Sequence, residues 1–513
     1  MSTKKIIVIG GGLAGPEAAL QAAARGCEVH LYEMRPHRST EAHQTSDFAE
    51  LVCSNSLKSE SENSAPWLLK QEMRRAGSFL LQDAAATAVP AGHALAVDRE
   101  LFSARVAARI ATFAGTGPGT ITVHREEVTR LNESDPDTLT ILASGPLTSP
   151  ALAAELQRLT GADHLAFYDS ISPIVDATTI DMDKVYFAAR WDKGTADYIN
   201  CPFTKEQYET FLDALTTAET VPPKSWEQIP TTHPQNRHPE RSAAESMDPE
   251  AANLTDAVSP FSTTALAPQF AAVAGNPTDK LSYFEGCLPI EETARRGRDT
   301  LRFGPMKPAG LTDPKTGRWP YACVQLRQEN LRADSYNLVG FQNHLKYGEQ
   351  ARVLRLIPGL ENAKFLRYGQ IHRNTYINAP TLLTETLQLR AHPNVMIAGQ
   401  LSGVEGYTES IASGMLAGIY AAALAHGDTP TPAPRISANG SLTHYITHTE
   451  PKKFQPANIT FDLLPPLEEE LRKKIRDKKE RHKLQCDRAL EAWKEWLTLV
   501  SAGWPVDTLI RNA

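Results

Sequence analysis

The first residues of the chain alternate between short apolar runs and glycine or polar breaks. Residues 4–9 form a β-branched run that ends in glycines, which predicts a buried parallel strand. Residues 16–25 are rich in alanine and predict a helix, with Pro16 in the first turn, where proline is tolerated. The stretch CEVHLYE then predicts a second strand that ends at Glu33. This order indicates a βαβ unit.

Further along the chain the pattern predicts strands within 168–181 and 185–190 and several helices. The helices fall at 206–215, 348–356 and 414–425. The segment 218–279 shows neither the helical nor the strand periodicity of apolar residues, and it is rich in Pro, Ser, Thr, Ala and Asn. We therefore predict a disordered insertion. Residues 465–497 predict a charged helix whose alternating signs are typical of a solvated face.

Composition excludes several classes of protein. The chain has 513 residues, too many for one core, and 41% are hydrophobic, as in ordinary globular proteins. No apolar run approaches the roughly 18 residues of a membrane span, and the N-terminal run is too short for a signal sequence, so we expect a cytoplasmic protein. The net charge of -7 argues against indiscriminate nucleic-acid binding but permits a local basic patch.

The cysteines are isolated from one another. The six lie at positions 27, 53, 201, 287, 323 and 486, and the sequence contains no CxxC pair. This spacing makes a disulfide framework or a zinc site unlikely, and we predict no metal site.

The glycine-rich turn after the first strand predicts a dinucleotide site. Gly10, Gly12 and Gly15 have the G-x-G-x-x-G spacing, in which the glycines allow a tight turn, close approach of a diphosphate and close helix packing. Glu33 ends the second strand, the usual place of an acid that binds a ribose hydroxyl. Gly11, Leu13 and Ala14 complete the predicted cofactor-binding turn. The alternative is a βαβ turn that binds nothing.

A second glycine-rich element favours FAD over NAD. Residues 394–414 predict a strand, then Gly399 and Gln400, a loop and a helix whose start faces a flavin. The predicted fold class is therefore α/β, with a Rossmann-like FAD-binding domain and an inserted α+β domain. The predicted FAD-binding domain is split between 1–150 and 335–445. The insertion domain occupies 151–334, and 446–513 form a C-terminal helical tail.

Two cysteines are candidate nucleophiles. Cys53 lies among polar residues in LVCSNSLKSE, and Cys287 precedes a run of cations, which lower the pKa of a thiol. The alternative for each is a small buried side chain. The cations that we predict to bind RNA are Arg295, Arg296, Arg298, Arg302 and Lys307. Arg327 and Arg367 belong to a second group of cations that would attract phosphates. The alternative is a solvated loop.

Long blocks of the sequence resemble a known family. They include GGGLAGPEAA, LVCSNSLKSE, FEGCLPIE, RGRDTLRFGPMKPAGL, QLRQEN and AGQLSGVEGYTES. They are similar to the bacterial folate- and FAD-dependent tRNA (uracil-5-)-methyltransferases, the TrmFO family, over nearly the whole chain. The segment 218–279 is longer than this family usually shows.

The resemblance implies a GidA-related fold and a reaction. A methylene group passes from 5,10-methylenetetrahydrofolate to C5 of the T-loop uridine in the T arm of tRNA, reduced flavin supplies electrons, and NADH or NADPH reduces the flavin. It implies that Cys287 is the nucleophile that adds to uracil C6, and that Cys53 lies by the flavin as a general acid or base, or as the holder of an adduct.

Three alternatives stay open at this point. A flavin thiol oxidoreductase would exchange electrons with its cysteines, although the absence of CxxC weighs against it. An FAD-dependent tRNA wobble-uridine modification protein would share fold and substrate class. A non-catalytic tRNA-binding protein would use FAD only as structure.

Overall fold

The structure, a computed structural model, describes residues 4–161, 165–192, 195–221, 271–272, 282–283 and 288–501. Most of the predicted insertion 218–279, and Cys287, lie outside the described residues. Among the described helices, none combines the length and the apolar character that crossing a membrane requires.

The part of the chain that the structure describes contains both strands and helices along its whole length. The strands are β1 (Lys5–Ile9), β2 (Glu28–Tyr32), β3 (Ser56–Ser59), β4 (Ala88–Val89), β5 (Ala94–Val97), β6 (Thr120–His124), β7 (Thr138–Leu142), β8 (Leu165–Ser170), β9 (Ile174–Asp176), β10 (Tyr186–Ala188), β11 (Tyr198–Phe203), β12 (Ala271–Ala272), β13 (Ser282–Tyr283), β14 (Ala322–Gln328), β15 (Ser335–Leu338), β16 (Phe365–Arg367), β17 (Ile371–Tyr376) and β18 (Val395–Ile397). The helices are α1 (Ala14–Ala23), α2 (Ala65–Arg75), α3 (Phe79–Ala86), α4 (Arg99–Thr112), α5 (Pro150–Thr160), α6 (Lys205–Thr216), α7 (Ile290–Arg295), α8 (Thr300–Phe303), α9 (Tyr347–Leu354), α10 (Ala379–Leu382), α11 (Tyr407–His426), α12 (Ala438–His448), α13 (Glu469–Lys474) and α14 (Lys478–Val500). Short 3₁₀ turns lie at Ala177–Thr179, Arg190–Asp192, Gly399–Ser402 and Pro451–Lys453.

A five-stranded parallel sheet forms the centre of the first region, in the order β18-β7-β1-β2-β6. Ile9 at the end of β1 pairs with Tyr32 on one side and with Leu142 on the other. The carboxyl ends of β1, β2, β7 and β18 therefore meet at one edge, where the strand order reverses. In open α/β sheets this edge is where ligands bind.

Helices α1 and α11 pack closely because glycines remove the side chains between them. A Cβ on Gly414 would lie 2.3 Å from the carbonyl oxygen of Ala14, and one on Gly418 would lie 2.5 Å from that of Ala18. Backbone atoms cannot yield by such amounts, so both positions need glycine. This packing fixes where the first turns of both helices lie relative to the sheet.

A second hydrophobic core lies around an antiparallel six-stranded sheet in the order β10-β11-β14-β15-β9-β16. Buried residues of α6 and α9, such as Phe211 and Val353, pack against it. The buried residues of this second core run from Val175 to Ala363. This packing favours a boundary of the insertion domain that lies after the predicted residue 334. The domain boundaries stay a prediction. The predicted fold class, a Rossmann-like sheet with an inserted α+β region, is confirmed.

The C-terminal helix α14 packs on the first region along one face. Cys486, Ala489, Leu490, Trp493 and Trp496 are buried at helical spacing. The indole N–H of Trp493 donates to the carbonyl oxygen of Glu72 at 2.7 Å. The predicted solvated face is thus only one side of this helix, because the other contributes to the first core.

Candidate active site

A cleft opens at the carboxyl ends of the parallel strands. Ligands of open α/β sheets bind at this edge. The predicted cofactor-binding residues that line it are Gly10, Gly11, Gly12, Leu13, Ala14, Glu33, Gly399 and Gln400. Gly15, the remaining one, lies behind the lining in α1.

Each glycine of the fingerprint meets a different steric requirement. Gly10 has a φ of 119°, and a Cβ there would lie 2.3 Å from the carbonyl oxygen of Ala143. A Cβ on Gly15 would lie 1.8 Å from the carbonyl oxygen of Gly10. A Cβ on Gly12, in contrast, would meet no atom within 4 Å. Gly10 and Gly15 therefore serve the turn and the helix packing, while Gly12 leaves open backbone facing the cleft.

Two helix N-termini at the cleft have no side-chain cap. Neither Leu13, at the start of α1, nor Gly406, at the start of α11, provides a side-chain cap hydrogen bond. Ala14, Tyr407 and Ser410, in the first turns of these helices, line the cleft. Their backbone N–H groups and the positive ends of the helix dipoles favour an anion such as a diphosphate.

The carboxylate of Glu33 is held at the cleft by hydrogen bonds from Gly11 and Arg35. Its Oε2 accepts from the N–H of Gly11 at 2.7 Å, and its Oε1 accepts from the N–H and Nε of Arg35, both at 2.9 Å. Burial raises the pKa of Glu33, but the hydrogen bonds and charge of Arg35 outweigh it, so the net pKa lies below its usual value. An ionised acceptor at this position suits a ribose hydroxyl, and the residues fit a dinucleotide such as FAD.

Cys53 lies next to the cleft rather than in its lining. The neighbouring Val52 and the ring of Tyr407 line the cleft, and the N–H of Cys53 donates to the Tyr407 hydroxyl at 2.7 Å. The N–H of Ser54 donates to the same oxygen at 3.3 Å. Cys53 is partly exposed. Burial raises the pKa of Tyr407, so its hydroxyl keeps its proton at neutral pH.

Arg99 ties the backbone around Cys53 to the second core. Its guanidinium donates to the carbonyl oxygens of Leu51 and Cys53 and, through Nε, to Glu329 at 2.5 Å. Asn337 of β15 donates to the other oxygen of Glu329. Burial lowers the pKa of Arg99, but pairing with Glu329 outweighs this and raises it overall. The position of Cys53 thus depends on residues of both regions.

Two of the cations predicted to attract phosphates, Arg327 and Arg367, are buried or half-buried. Arg327 is buried and donates from Nε to Asn55 at 3.1 Å, so the expectation that it meets phosphate is wrong. Arg367 donates to the carbonyl oxygen of Ala42 at 3.1 Å, and burial lowers its pKa. Arg367 lies near Arg99 and Cys53, and Asn55, the partner of Arg327, is two residues after Cys53.

The predicted RNA-binding cations lie along α7, α8 and the turns beside them. Arg295 pairs with Glu292, Arg298 pairs with Asp213 at 2.7 Å, and Arg302 pairs with Asp299 at 2.8 Å. The Arg302 guanidinium also lies 3.7 Å from the ring centre of Tyr321. Arg296 is exposed, and Lys307 is half-buried in the turn that follows α8.

The side chains of Arg295 and Arg298 are 40% and 60% exposed, but their partners differ, because Glu292 is buried whereas Asp213 is exposed. Exposed ion pairs contribute little stability, about 0–1 kcal/mol, so an RNA phosphate can replace Asp213 at low cost. The structure brings these cations together on one stretch, but their contact with RNA stays a prediction, as does the role of Cys287.

Sequence reasoning missed Arg99, Glu329 and Tyr407 as parts of this site. Glu329 and Tyr407 lie in the blocks QLRQEN and GYTES, so the family resemblance marked their neighbourhoods. No signal in the sequence indicated that Arg99 contacts Glu329, because the two residues are 230 positions apart.

The fold and the cleft define a Rossmann-type dinucleotide-binding protein of the GidA class. The family described as GIDA, Glucose inhibited division protein A, matches residues 5–236 and 229–429. A crystal structure of Aquifex aeolicus GidA (form II) superposes with a TM-score of 0.60 at 15% identity, covering 99% of this chain and 76% of that chain. At that identity the likeness shows the fold alone.

Curated relatives define the family more narrowly. The chain is 62% identical over 96% of its length to the methylenetetrahydrofolate–tRNA-(uracil-5-)-methyltransferase TrmFO of Koribacter versatilis, covering 98% of that protein. It is 56% identical to the TrmFO of Solibacter usitatus (96% and 99% covered) and 47% identical to that of Bacillus cytotoxicus (97% and 100% covered). The chain belongs to the TrmFO family.

Proposed function

We propose that this protein methylates C5 of the T-loop uridine of tRNA, with 5,10-methylenetetrahydrofolate as the one-carbon donor. Membership of the TrmFO family makes it a folate-dependent tRNA (uracil-5-)-methyltransferase. The choice of the T-loop uridine in the T arm, NADH or NADPH as reductant, and a cytoplasmic location are the further parts of this proposal. Neither wobble-uridine modification nor thiol oxidoreduction is favoured, because the relatives of high identity carry the methyltransferase name.

One observation supports the proposal most. The cleft that fits a dinucleotide ends beside Cys53, whose N–H is bound by Tyr407, a residue that itself lines the cleft. A flavoprotein needs a diphosphate site, and a uracil methyltransferase needs an ionisable sulfur, and here the two adjoin. Bound FAD, once reduced by NADH or NADPH, would supply the hydride that converts the methylene into a methyl group.

The chain's own groups would act as follows. Uracil C5 is a poor nucleophile, and a thiolate that adds to C6 turns the ring into an enolate whose C5 attacks the methylene carbon, while the bond from that carbon to the folate nitrogen breaks. The C5 proton then passes to a base and the thiolate is expelled from C6, which restores the ring. We assign this addition to Cys287, from the resemblance of FEGC to the family block. We assign to Cys53, beside the cleft, proton transfer or the temporary holding of the carbon. Tyr407 and Arg99 would orient Cys53 through its backbone.

The cationic stretch would bind the tRNA backbone. Arg295, Arg296 and Arg298 are exposed on α7 and the turn after it, about ten positions after Cys287 in the sequence. Phosphates held there would bring a nearby uridine toward the thiol, while the net charge of -7 limits binding elsewhere on the surface.

The test is transfer of labelled carbon from 5,10-methylenetetrahydrofolate to a tRNA transcript by the FAD-loaded protein with NADH or NADPH. We expect label in the transcript and none in a transcript whose T-loop uridine is replaced by adenosine. Label in both transcripts would contradict the T-loop assignment, and label in neither would contradict the reaction. Transfer of labelled carbon by Cys287→Ser at the wild-type level would contradict the assignment of Cys287 as the nucleophile.

A further inference from the structure

We propose that Glu385, His444 and His448 bind one divalent transition-metal ion, with Zn²⁺ as the best-fitting cation. The three side chains come from two elements that lie far apart in sequence. His444 and His448 are four residues apart in the last turn of α12, and Glu385 lies in the loop after α10. Each offers one ligand atom, and these atoms all lie within 4.8 Å of one another.

The spacing of the donors suits a tetrahedral ion. Nδ1 of His444 lies 3.4 Å from Oε1 of Glu385, and Nδ1 of His448 lies 3.7 Å from the same oxygen. Ligands about 2.1 Å from a tetrahedral metal are roughly 3.4 Å apart. Histidines at positions i and i+4 lie on one face of a helix, and the two imidazoles stack with their ring centres 4.2 Å apart. Nδ1 of His448 lies 2.9 Å from the hydroxyl of Thr447, so this ring would exchange that contact for the ion.

The surroundings leave room for the ion and for a fourth ligand. Glu385 and His448 line a separate pocket at the surface, together with Thr384, Thr386, Arg390 and Pro432. The side chains of His444 and His448 are 36% and 46% exposed, so an ion and a water molecule have access. Three protein ligands with one open position form a common zinc arrangement.

The order of the loop also favours binding. The loop that carries Glu385 is held by its own hydrogen bonds, from the N–H of Thr384 to Gln388 and from the N–H of Leu387 to Thr384. The carboxylate is therefore presented by an ordered turn, and an ion would fasten this turn, which precedes β18, to α12.

Sequence reasoning predicted no metal site because it relied on cysteine spacing. The three donors here contain no cysteine, and the loop and the helix are 59 positions apart at His444 and Glu385. Only the folded chain joins them.

The test is titration of the full-length, tag-free, FAD-loaded protein with ZnCl₂ or CoCl₂ after chelator treatment. We expect one saturable equivalent by calorimetry and the visible absorption of tetrahedral Co²⁺. Glu385→Gln and His444→Ala/His448→Ala should each weaken binding by roughly tenfold or more. The matched control His93→Ala/His392→Ala, which also removes two imidazoles, should bind like the wild type.

The melting temperature gives a second measurement, because an ion that binds only the folded state stabilises it. We expect Zn²⁺ to raise it in the wild type and in the control, but not in Glu385→Gln, a single change that keeps the fold testable if the double variant fails to fold. Equal binding by site and control variants, or a cobalt–thiolate band showing that cysteines hold the ion, would overturn the proposal.

Discussion

The dinucleotide cleft and the cationic stretch 295–307 are built in opposite ways. The cleft is made mostly of backbone, since Gly10, Gly12 and the first turn of α1 present N–H groups whose positions the sheet fixes. The cationic stretch is made of long side chains that reach solvent, and Arg298 forms an exposed ion pair with Asp213 that solvent and salt weaken. We infer that the cleft is rigid and specific, whereas the stretch is adaptable and sensitive to ionic strength.

The largest expected effect comes from a methyl group at the cleft. Gly15→Ala would place a Cβ 1.8 Å from the carbonyl oxygen of Gly10, so the turn must move. We expect loss of bound FAD and about 3 kcal/mol or more of destabilisation, measured by flavin absorbance and denaturant unfolding.

Gly12→Ala is the matched control for that substitution. Its Cβ meets no protein atom within 4 Å, so the FAD-free protein should unfold within ~1 kcal/mol of the wild type. Its FAD affinity should nevertheless fall, because the methyl group enters the space of the diphosphate. If Gly15→Ala bound FAD as well as the wild type, the cleft would not be the rigid element we describe.

The next effect tests the contact between the two regions at Cys53. Glu329→Gln removes the buried carboxylate paired with the half-buried Arg99, whose guanidinium donates to the carbonyl oxygens of Leu51 and Cys53. We expect about 3 kcal/mol of destabilisation and a lower kcat for methyl transfer at unchanged FAD content.

The control for Glu329→Gln is Glu361→Gln, which makes the same change in an exposed pair with Lys184. It should alter stability by less than ~1 kcal/mol. Equal effects of the two substitutions would show that the buried pair does not position Cys53.

A smaller effect concerns a buried carboxyl group at a helix start. Glu72 accepts from the N–H groups of Ala438 and Asn439, and burial raises its pKa from 4.5 to about 7. The folded state then holds a proton that the unfolded state releases between pH 4.5 and 7. Stability from this group is present below about pH 4.5 and is lost as the pH rises toward 7.

Glu72→Gln should therefore flatten the pH dependence of the free energy of unfolding by an amount on the order of 2–3 kcal/mol over this range. Denaturant unfolding at several pH values measures it, and Glu62→Gln, at an exposed position, should keep the wild-type slope. An unchanged slope in Glu72→Gln would refute the raised pKa.

The smallest effect belongs to the cationic stretch. Arg295→Ala/Arg298→Ala should weaken tRNA binding by about tenfold at low salt. The slope of the logarithm of the binding constant against the logarithm of the salt concentration should become shallower by roughly one for each lost phosphate contact. Lys473→Ala/Lys483→Ala, which removes two exposed lysines from the C-terminal helices, should bind tRNA as the wild type does. Equal losses in the two variants would mean that any surface cation serves and that no specific stretch exists.

The sequence predicted best what depends on neighbours along the chain. The turn from β1 into α1 follows from glycine positions and a strand pattern within thirty residues, and the start of α11 follows from Gly399 and the residues after it. In contrast, the contact of Arg99 with Glu329 and the approach of Glu385 to His444 depend on how distant elements pack. Arg327 shows the same limit, because a run of cations does not reveal which guanidinium is buried.

The central claim is that the dinucleotide cleft and Cys53 serve one reaction. The most direct measurement is single-turnover transfer of labelled carbon from 5,10-methylenetetrahydrofolate to tRNA by Cys53→Ser that carries a full complement of FAD. We predict that this variant binds tRNA and FAD normally and transfers no label on the timescale of the wild type. Transfer at the wild-type rate would contradict the account.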